Sequence, residues 1–490
     1  KDIVGKTLKL PMTDREIPVI ADAYVDKEFG TGCVKITPAH DPNDFEVGKR
    51  HNLEEIVVIN DDATMNEKAG KYAGMDRYEC RKALVDDLKK EGLLVKVVPH
   101  SHNVGVHDRC HTTVEPMIKQ QWFVKMDEMI KPAVEGVKNG EIQLLPKRME
   151  KTYFNWTDNI RDWCISRQRK WGVPIPIFFC KECGEAHIDN DAMMAVADLF
   201  EKEGSNAWYS HTAAEILPKG TKCKKCGCTE FEKEKDIMDV WFDSGSSHAA
   251  VVSKRDNLKF PADLYLEGND QYRGWFQSSL LTSVATEGVA PYKAVLTHGM
   301  ILDEEKRKMS KSLGNGISPQ DVTEKYGADV LRLWVSSTDY QSDVHISNEI
   351  LKQISESYRK IRNTARYILG NVYDFNPDTD SVPVNELMPM DKWAIVKLNE
   401  LIAKVKQAYD NYEFHQVYHS IRNFCVIDMS NFYLDVLKDR LYTEKSDSKS
   451  RKAAQTAIYI ILNAMTRMIS PILAYTSDEI WKYMPHSSNE

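Results

Sequence analysis

Long apolar runs are what this chain of 490 residues most plainly lacks. No stretch approaches the roughly 20 apolar residues that a helix needs to cross a bilayer. Its opening, KDIVGKTLKL, resembles no signal peptide. A cytoplasmic address without a membrane partner is therefore expected. An overall basic charge is missing too: 65 Lys and Arg stand against 73 Asp and Glu, a net charge of -8. Any contact with nucleic acid must then be regional. Cysteine is sparse outside one stretch. Cys33, Cys80, Cys110, Cys164 and Cys425 lie singly, and each reads as a buried or inert thiol. What remains is the composition of an ordinary globular protein, 42% hydrophobic and 28% charged. At about 100 to 200 residues per domain, that length holds about three domains.

The other five cysteines, Cys180, Cys183, Cys223, Cys226 and Cys228, fall in FFCKECGEAH and TKCKKCGCTEF. Two C-x-x-C pairs, each followed by Gly, match the tight turns of a tetrahedral thiolate zinc site. Cys180, Cys183, Cys223 and Cys226 are the expected Zn2+ ligands, with Cys228 as an alternative to Cys226. A disulfide pair is the plainer reading, disfavoured in a cytosolic chain. A zinc hydrolase is excluded by ligand type, because four thiolates leave no coordination position for water.

Organisation changes along the chain. Residues 1–116 carry short β-branched runs, IPVIADAYV and EEIVVIN, broken by Gly, Pro, Asn and Asp, which predicts a compact sheet-containing domain. Aromatic residues crowd together over 117–179, and the cysteine insert follows at 180–235. Over 236–345 the runs IMDVWF, ADLYLEG and AVLTHGMIL, spaced by helix-like segments, predict strands of a parallel α/β sheet. Over 346–490 the pattern is helical. Ile350, Ile354, Tyr358, Ile361, Ala365 and Ile368 recur at three and four, closed by Gly370 as C-cap. Ile395, Leu398, Leu401, Val405 and Ala408 repeat the spacing, as do Phe414, Val417, Ile421 and Phe424. DFNPDTDSVPVNELMP reads as a linker between helices. In the first of these helices Lys352, Arg359, Lys360, Arg362 and Arg366 face a single acid, Glu356. A solvated face and a contact for a phosphate backbone are both open readings.

KRKMSKSLGN, residues 306–315, sets Lys306, Arg307, Lys308 and Lys311 around a small, hydroxyl-rich turn ending at Gly314. A solvated basic loop is the plainer reading. The sharper one is a mobile clamp for a polyanion, with lysines as point charges and Ser310 and Ser312 as donors.

With LYLEGNDQYRGWFQSS and THGMILD before it and YGADVLRLWVSSTDY after it, this segment resembles the C-terminal half of the catalytic domain of a class I aminoacyl-tRNA synthetase. Over about 169–490 the nearest likeness is to the isoleucyl-tRNA synthetases, through DIMDVWFDSGSSH, PADLYLEG, DQYRGWF and SDVHISNEILKQISESYRKIRNT. Over about 1–168, GTGCVKITPAHDPNDFEVGKRHNL, MNEKAGKYAGMDRYECRKAL and VEPMIKQQWFVKM look like the editing domain of a valyl-tRNA synthetase, with Lys35 where the isoleucyl pattern has His. The two likenesses meet at RDWCISRQ, residues 161–168.

The resemblance implies an α/β fold: a Rossmann-type catalytic half over 236–345, preceded by a partial β-rich editing domain and a return segment, and followed by an α-helical anticodon-binding domain over 346–490. It implies ATP with Mg2+ as cofactor, tRNA and isoleucine (alternatively valine) as partners, and a monomer. Lys308 and Lys311 are then the catalytic cations. Met309, Ser310 and Ser312 share the nucleotide loop. Glu267, Gly268, Asp270 and Gln271 line the adenylate mouth at the carboxyl edge of a strand, beside Asn269 where the family usually has Ser. In TPAHDPNDF the resemblance assigns Asp44 to the α-ammonium of a mischarged product, a natural charge partner. His40 and Asp41 are its close neighbours, and DPND also fits a self-satisfied Asx turn. The family's His-x-Gly-His motif and the threonine-rich strand of its editing pocket are both absent. An internal fragment, inactive by itself in aminoacylation, is therefore expected. A tRNA-binding module without catalysis is the alternative.

Overall fold

A strand exists only by pairing, and the computed structural model, which describes residues 2–107, 110–309 and 313–488, follows the supply of partners. The chain forms two units, Lys1–Trp122 and Phe123–Glu490. In the first, β1 (Thr7–Lys9) and β2 (Glu16–Pro18) make an antiparallel hairpin with Leu8 opposite Ile17. IPVIADAYV continues past Pro18 without a strand, and EEIVVIN contributes only a bridge between Ile59 and Met65. The sheet expected from these runs thus shrinks to one hairpin among the described residues. Their β-branched composition suits a pleated surface but supplies no ladder by itself. Among the described residues two α-helices, α1 (Pro42–His51) and α2 (Arg77–Lys90), and a 3-10 helix, Glu67–Tyr72, complete the unit, with a small core of Ala69, Tyr72 and Cys80.

The second unit contains a parallel sheet, but only two of the three predicted runs enter it. In IMDVWF, Ile237–Met238 pairs antiparallel with Ser166–Arg167 in a separate sheet and a helix begins at Val240, where Asp239 caps its N-terminus. β3 (Gln143–Leu145) is the first strand of the parallel sheet. The cysteine insert follows as a separate antiparallel sheet of β4 (Phe178–Cys180), β5 (Ala186–His187) and β6 (Phe231–Lys233), with β4 in the middle. Next come α3 (Val240–Gly245), β7 (Tyr265–Gly268), α4 (Trp275–Glu287), β8 (Ala294–His298) and β9 (Ile301–Leu302). β8 lies between β7 and β3, parallel to both, so β7–α4–β8 is a crossover unit. Tyr265, Phe276, Leu280, Tyr292 and Val295 form its core.

The remainder is helical apart from β10 (Val344–His345), which pairs in parallel with β9. α5 (Pro319–Tyr326) and α6 (Ala328–Ser337) precede it. The bundle comprises α7 (Asn348–Asn371), α8 (Pro389–Asp410), α9 (Phe414–Asn423), α10 (Lys449–Ile469) and α11 (Ala474–Tyr483). Its core runs through Ile361, Ile368, Leu398, Val417, Ile458 and Met465. α7 continues through Gly370, which keeps helical backbone, and ends at Asn371 with Val372 as cap. That corrects the expected stop at Gly370: a glycine ends a helix only where the chain turns left-handed, and here it does not. After α9 the chain widens into a π-type segment, Phe424–Tyr433, whose spacing turns Cys425, Met429 and Tyr433 all inward. The Pro-containing join is tied down, with Asp374 paired to Arg451 and Asp380 to Lys452. On α7 the basic residues Lys352, Arg359, Lys360, Arg362 and Arg366 are exposed, and Arg359 pairs with Glu356 at 2.7 Å.

Candidate active site and metal centre

Parallel register brings the first site residues together. Gly268 stands opposite His298 where β7 and β8 end side by side, at the carboxyl edge of the sheet. Glu267 therefore reaches His298: its Oε1 lies 3.7 Å from Nε2 of the imidazole and also accepts the Gly268 N–H at 2.9 Å. His298 is anchored through Nδ1 to the Gly299 carbonyl at 2.7 Å. Sequence reading singled out Glu267 but not His298; the THG that follows an apolar run was the available signal.

Asp270 and Gln271 fall in the 3-10 turn Asn269–Arg273 between β7 and α4. Gln271 is partly committed to structure, because its Oε1 accepts the Trp275 N–H at 2.9 Å and so satisfies one orphan donor of α4. Two glycines make the mouth tight. A Cβ on Gly268 would lie 2.7 Å from Oδ1 of Asp270, and one on Gly274 would lie 2.6 Å from Oε1 of Gln271 and 3.1 Å from the Trp241 ring. Next to this turn opens a cavity of about 510 Å³, walled by Trp163 and Trp241 and edged by Arg161, Arg167 and Arg273. Asp239, buried at 4% exposure, joins two of its walls by accepting from Trp163 Nε1 and Arg167, each at 3.0 Å, while capping α3.

The basic segment sorts into unequal parts. Arg307 is not a free cation: it is paired with Asp303 and Glu305, each at 2.9 Å. Lys308 bridges Leu302 in antiparallel fashion and has no ion pair among the described residues. Met309 is half-buried against the helical core. Ser310, Lys311 and Ser312 lie outside the described residues. Asp303 accepts from the Asn315 amide and from Arg307, which hold its pKa down at about 2.

In the first unit, TPAHDPNDF resolves its three neighbours by their hydrogen bonds. Asp41 caps α1, accepting the Asn43 and Asp44 N–H groups at 2.8 and 3.0 Å, which is the Asx-turn role. His40 is held at both ring nitrogens, Nδ1 at the Pro116 carbonyl and Nε2 by the Val58 N–H. Asp44 is buried at 9% exposure and accepts the Thr37 N–H at 2.7 Å. The Lys35 ammonium donates to Thr37 Oγ1; lost hydration lowers its pKa, and the Asp44 charge opposes that shift.

The sulfurs of Cys180, Cys183, Cys223 and Cys226 all lie within 4.8 Å of one another. Cys180 and Cys226 are 3.4 Å apart, and Cys183 and Cys223 3.6 Å. A tetrahedral ion with bonds of about 2.3 Å places its sulfurs about 3.8 Å apart, so the cluster fits zinc. Each pair sits on a turn closed by glycine: Gly184 and Gly227, both at positive φ, donate to the Cys180 and Cys223 carbonyls at 2.9 Å. Backbone donors prepare the thiolates. The Cys183 N–H lowers Cys180 to about 6. The Cys228 N–H favours the Cys226 thiolate too, yet the neighbouring sulfurs push Cys226 up to about 12, a conflict that a divalent cation removes. Cys228 itself accepts the Glu230 N–H at 3.3 Å and is not part of the cluster.

Residues 20–347 match the tRNA synthetases class I (I, L, M and V), and residues 391–490 match the anticodon-binding domain of tRNA ligases. The chain belongs to the class I tRNA synthetase family. It is 51% identical over 488 residues to the "Isoleucine--tRNA ligase" of Thermoanaerobacter sp. (strain X514), covering 100% of this chain and 52% of that protein. It is 50% identical over 489 residues to the one of Caldanaerobacter subterraneus subsp. tengcongensis, again 100% and 52%. The chain thus spans about half the length of these curated relatives. A methionyl-tRNA synthetase of Mycobacterium tuberculosis bound by methionyl-adenylate shares the fold, with TM-score 0.56, 17% identity, and coverage of 79% of this chain and 67% of that one.

These relatives correct one expectation. The isoleucyl likeness runs through the whole chain, not 169–490 alone, so a single set of relatives spans both sides of residues 161–168. A motif of some twenty residues samples too little of a domain to separate two sister specificities.

Proposed function

We propose that the chain carries the KMSKS side of the catalytic fold and the anticodon-binding helices of an isoleucine–tRNA ligase. In the proposed reaction the carboxylate of isoleucine attacks the α-phosphorus of ATP, giving isoleucyl-adenylate and pyrophosphate, and a 3′-terminal ribose hydroxyl of tRNA then attacks the isoleucyl carbonyl, forming the ester and releasing AMP. No protein nucleophile is needed, so catalysis is positioning and charge stabilisation. Lys308 and Lys311 meet the triphosphate with its Mg2+. Glu267, Gly268, Asp270 and Gln271 border the adenylate. The exposed basic face of α7 suits a phosphate backbone. Zn2+ at the four cysteines is structural, holding the ends of the insert together. The protein works as a cytoplasmic monomer.

The observation that carries this reading is the identity of about half of all positions over the full chain. The test separates catalysis from binding. By itself the 490-residue chain should bind tRNA without exchanging pyrophosphate into ATP. Joined to an upstream isoleucyl-type half it should exchange with isoleucine in preference to valine, and Lys311→Ala should lower the rate by about a hundredfold. Exchange indifferent to that substitution would remove the clamp.

Hydrolytic editing belongs to the same proposal. Two aliphatic side chains one methylene apart are poorly separated by a single binding step, isoleucine against valine being the standard illustration. The buried Asp44 carboxylate, whose one hydrogen-bond donor among the described residues is the Thr37 N–H, is suited to hold the ammonium of a mischarged aminoacyl ester. Lys35 beside it motivates comparing threonyl with valyl esters. Asp44→Ala should weaken deacylation of whichever ester is accepted.

A further inference from the structure

We infer that Asp303 is a positioning residue that fixes Lys308 for the proposed activation step; the inference rests on that reading of the site. Asp303 follows β9 in DEEKRK, among the most charged stretches of the chain, yet it is only 6% exposed. Its carboxylate collects donors from both flanks of the basic segment. Oδ1 accepts the Arg307 N–H at 2.8 Å, and Oδ2 accepts Arg307 Nε at 2.9 Å. From the far flank, Asn315 Nδ2 donates to Oδ2 at 2.8 Å. Asn315 also reaches the Lys308 carbonyl at 3.4 Å, so one amide links the acid to the backbone of the lysine.

The backbone closes the same turn. Asp303 N donates to the Arg307 carbonyl at 3.0 Å and Lys306 N to the Asp303 carbonyl at 3.1 Å. Lys306 adopts φ 61°, a left-handed conformation that a residue with a Cβ holds only when its surroundings impose it. Lys308 then pairs with Leu302, which belongs to the strand that meets β10. Arg307 is spent on carboxylates, and Lys308 is set on a fixed backbone with its charge uncommitted among the described residues. A cation aimed at developing charge is effective to the extent that it need not reorganise during the reaction, which is what such a turn supplies. The depressed pKa of Asp303 accords with a carboxylate kept ionised for this purpose.

Two measurements on Asp303→Asn test this. Amide hydrogen exchange on the 490-residue chain should quicken about tenfold or more at Arg307 and Lys308 while α10 is unchanged. In the full-length ligase, kcat for pyrophosphate exchange should fall about tenfold or more, with KM for ATP within about threefold. Asn315→Ala, the milder variant, should move both readouts the same way by less. Unaltered exchange at residues 307–308 would overturn the proposal. So would a rise in KM at constant kcat, or a rate loss tracked by an equal loss of tRNA binding, the mark of general unfolding. A wild-type ligase that exchanges no pyrophosphate would sink the activation reading instead, and the amide measurement would still decide whether Asp303 holds Lys308 in place.

Discussion

The helical bundle and the first unit are built from similar residue types and reach different ends. In α10, Ala454, Ala457, Ile458, Ile461, Leu462 and Met465 are fully buried, whereas α2, at two-thirds the length, has no fully buried residue and buries only Cys80, at 7% exposure. The first unit leaves Val95, Val97 and Phe29 exposed at 97%, 72% and 67%. A helix with a wide apolar stripe finds its partners among neighbouring helices joined by short loops, so local pattern and burial agree. A β-branched run finds a partner only where another strand lies beside it. Apolar side chains therefore form a dense core in one region and are left exposed in the other.

Amide exchange should show that contrast most strongly. Protection at Ile458 is expected to exceed that in the middle of α2 by at least about a thousandfold, since one opens with the whole bundle and the other with a single helix. Comparable protection would mean that the first unit is stabilised by something other than its buried core. Next in size is Asp391, fully buried and accepting from Tyr433 at 2.8 Å and twice from Arg440 at 2.8 Å. Asp391→Ala leaves the guanidinium without its partner and should cost about 3–5 kcal/mol of bundle stability in denaturant unfolding.

Cavity formation refines the comparison. Ile368→Ala in the bundle should cost about 2–5 kcal/mol. Val47→Ala, equally buried in the first unit, should cost nearer about 1 kcal/mol, because fewer carbons are removed and Val47 lies outside the buried hydrophobic clusters. Equal losses would break the distinction.

Local devices, by contrast, should behave alike in both regions. Asp41 caps α1 and Ser347 caps α7 through a side-chain oxygen, and either residue changed to Ala should cost about 1 kcal/mol. Two carboxylates extend the parallel to pH. Asp87 is held at about 2 by Lys71 and Tyr72, and Asp303 at about 2 by Asn315 and Arg307. Each folded value lies below the ordinary carboxylate range near 4, so each contribution is complete above about pH 4 and is lost as pH falls through about 2. Amide exchange around the Asp303 turn and around the contact of Asp87, within α2, with Tyr72 should quicken together over that window; a response confined to one of them would show that the other carboxylate is not holding its surroundings.

Much of the second unit was legible in the residues, and for definite reasons. ADLYLEG and AVLTHGMIL are continuous apolar runs of strand length, and both form parallel strands. Leu398, Leu401, Val405 and Ala408 trace the buried stripe of α8, with Ile395 half-buried beside it. Two C-x-x-C-G turns anticipated the sulfur cluster because the spacing is itself the geometry of the knuckle. Less was legible where a side chain's duty depends on a distant partner. Arg307 looks like part of a cationic clamp until Asp303 is found beneath it, and His40 like a rival to Asp44 until both its nitrogens prove to be occupied.

The sequence by itself determined the periodic features: the helical stripes, the parallel strands, the knuckles and the family to which its motifs belong. These depend on residues near one another in the chain, whose mutual geometry the backbone dictates. Only the tertiary structure decided that His298 stands beside Glu267, that Cys226 rather than Cys228 completes the cluster, and that Asp303 gathers both flanks of the basic segment. Those contacts arise from strand register and from turns that bring separated residues within hydrogen-bonding distance, and neither spacing nor composition encodes them locally.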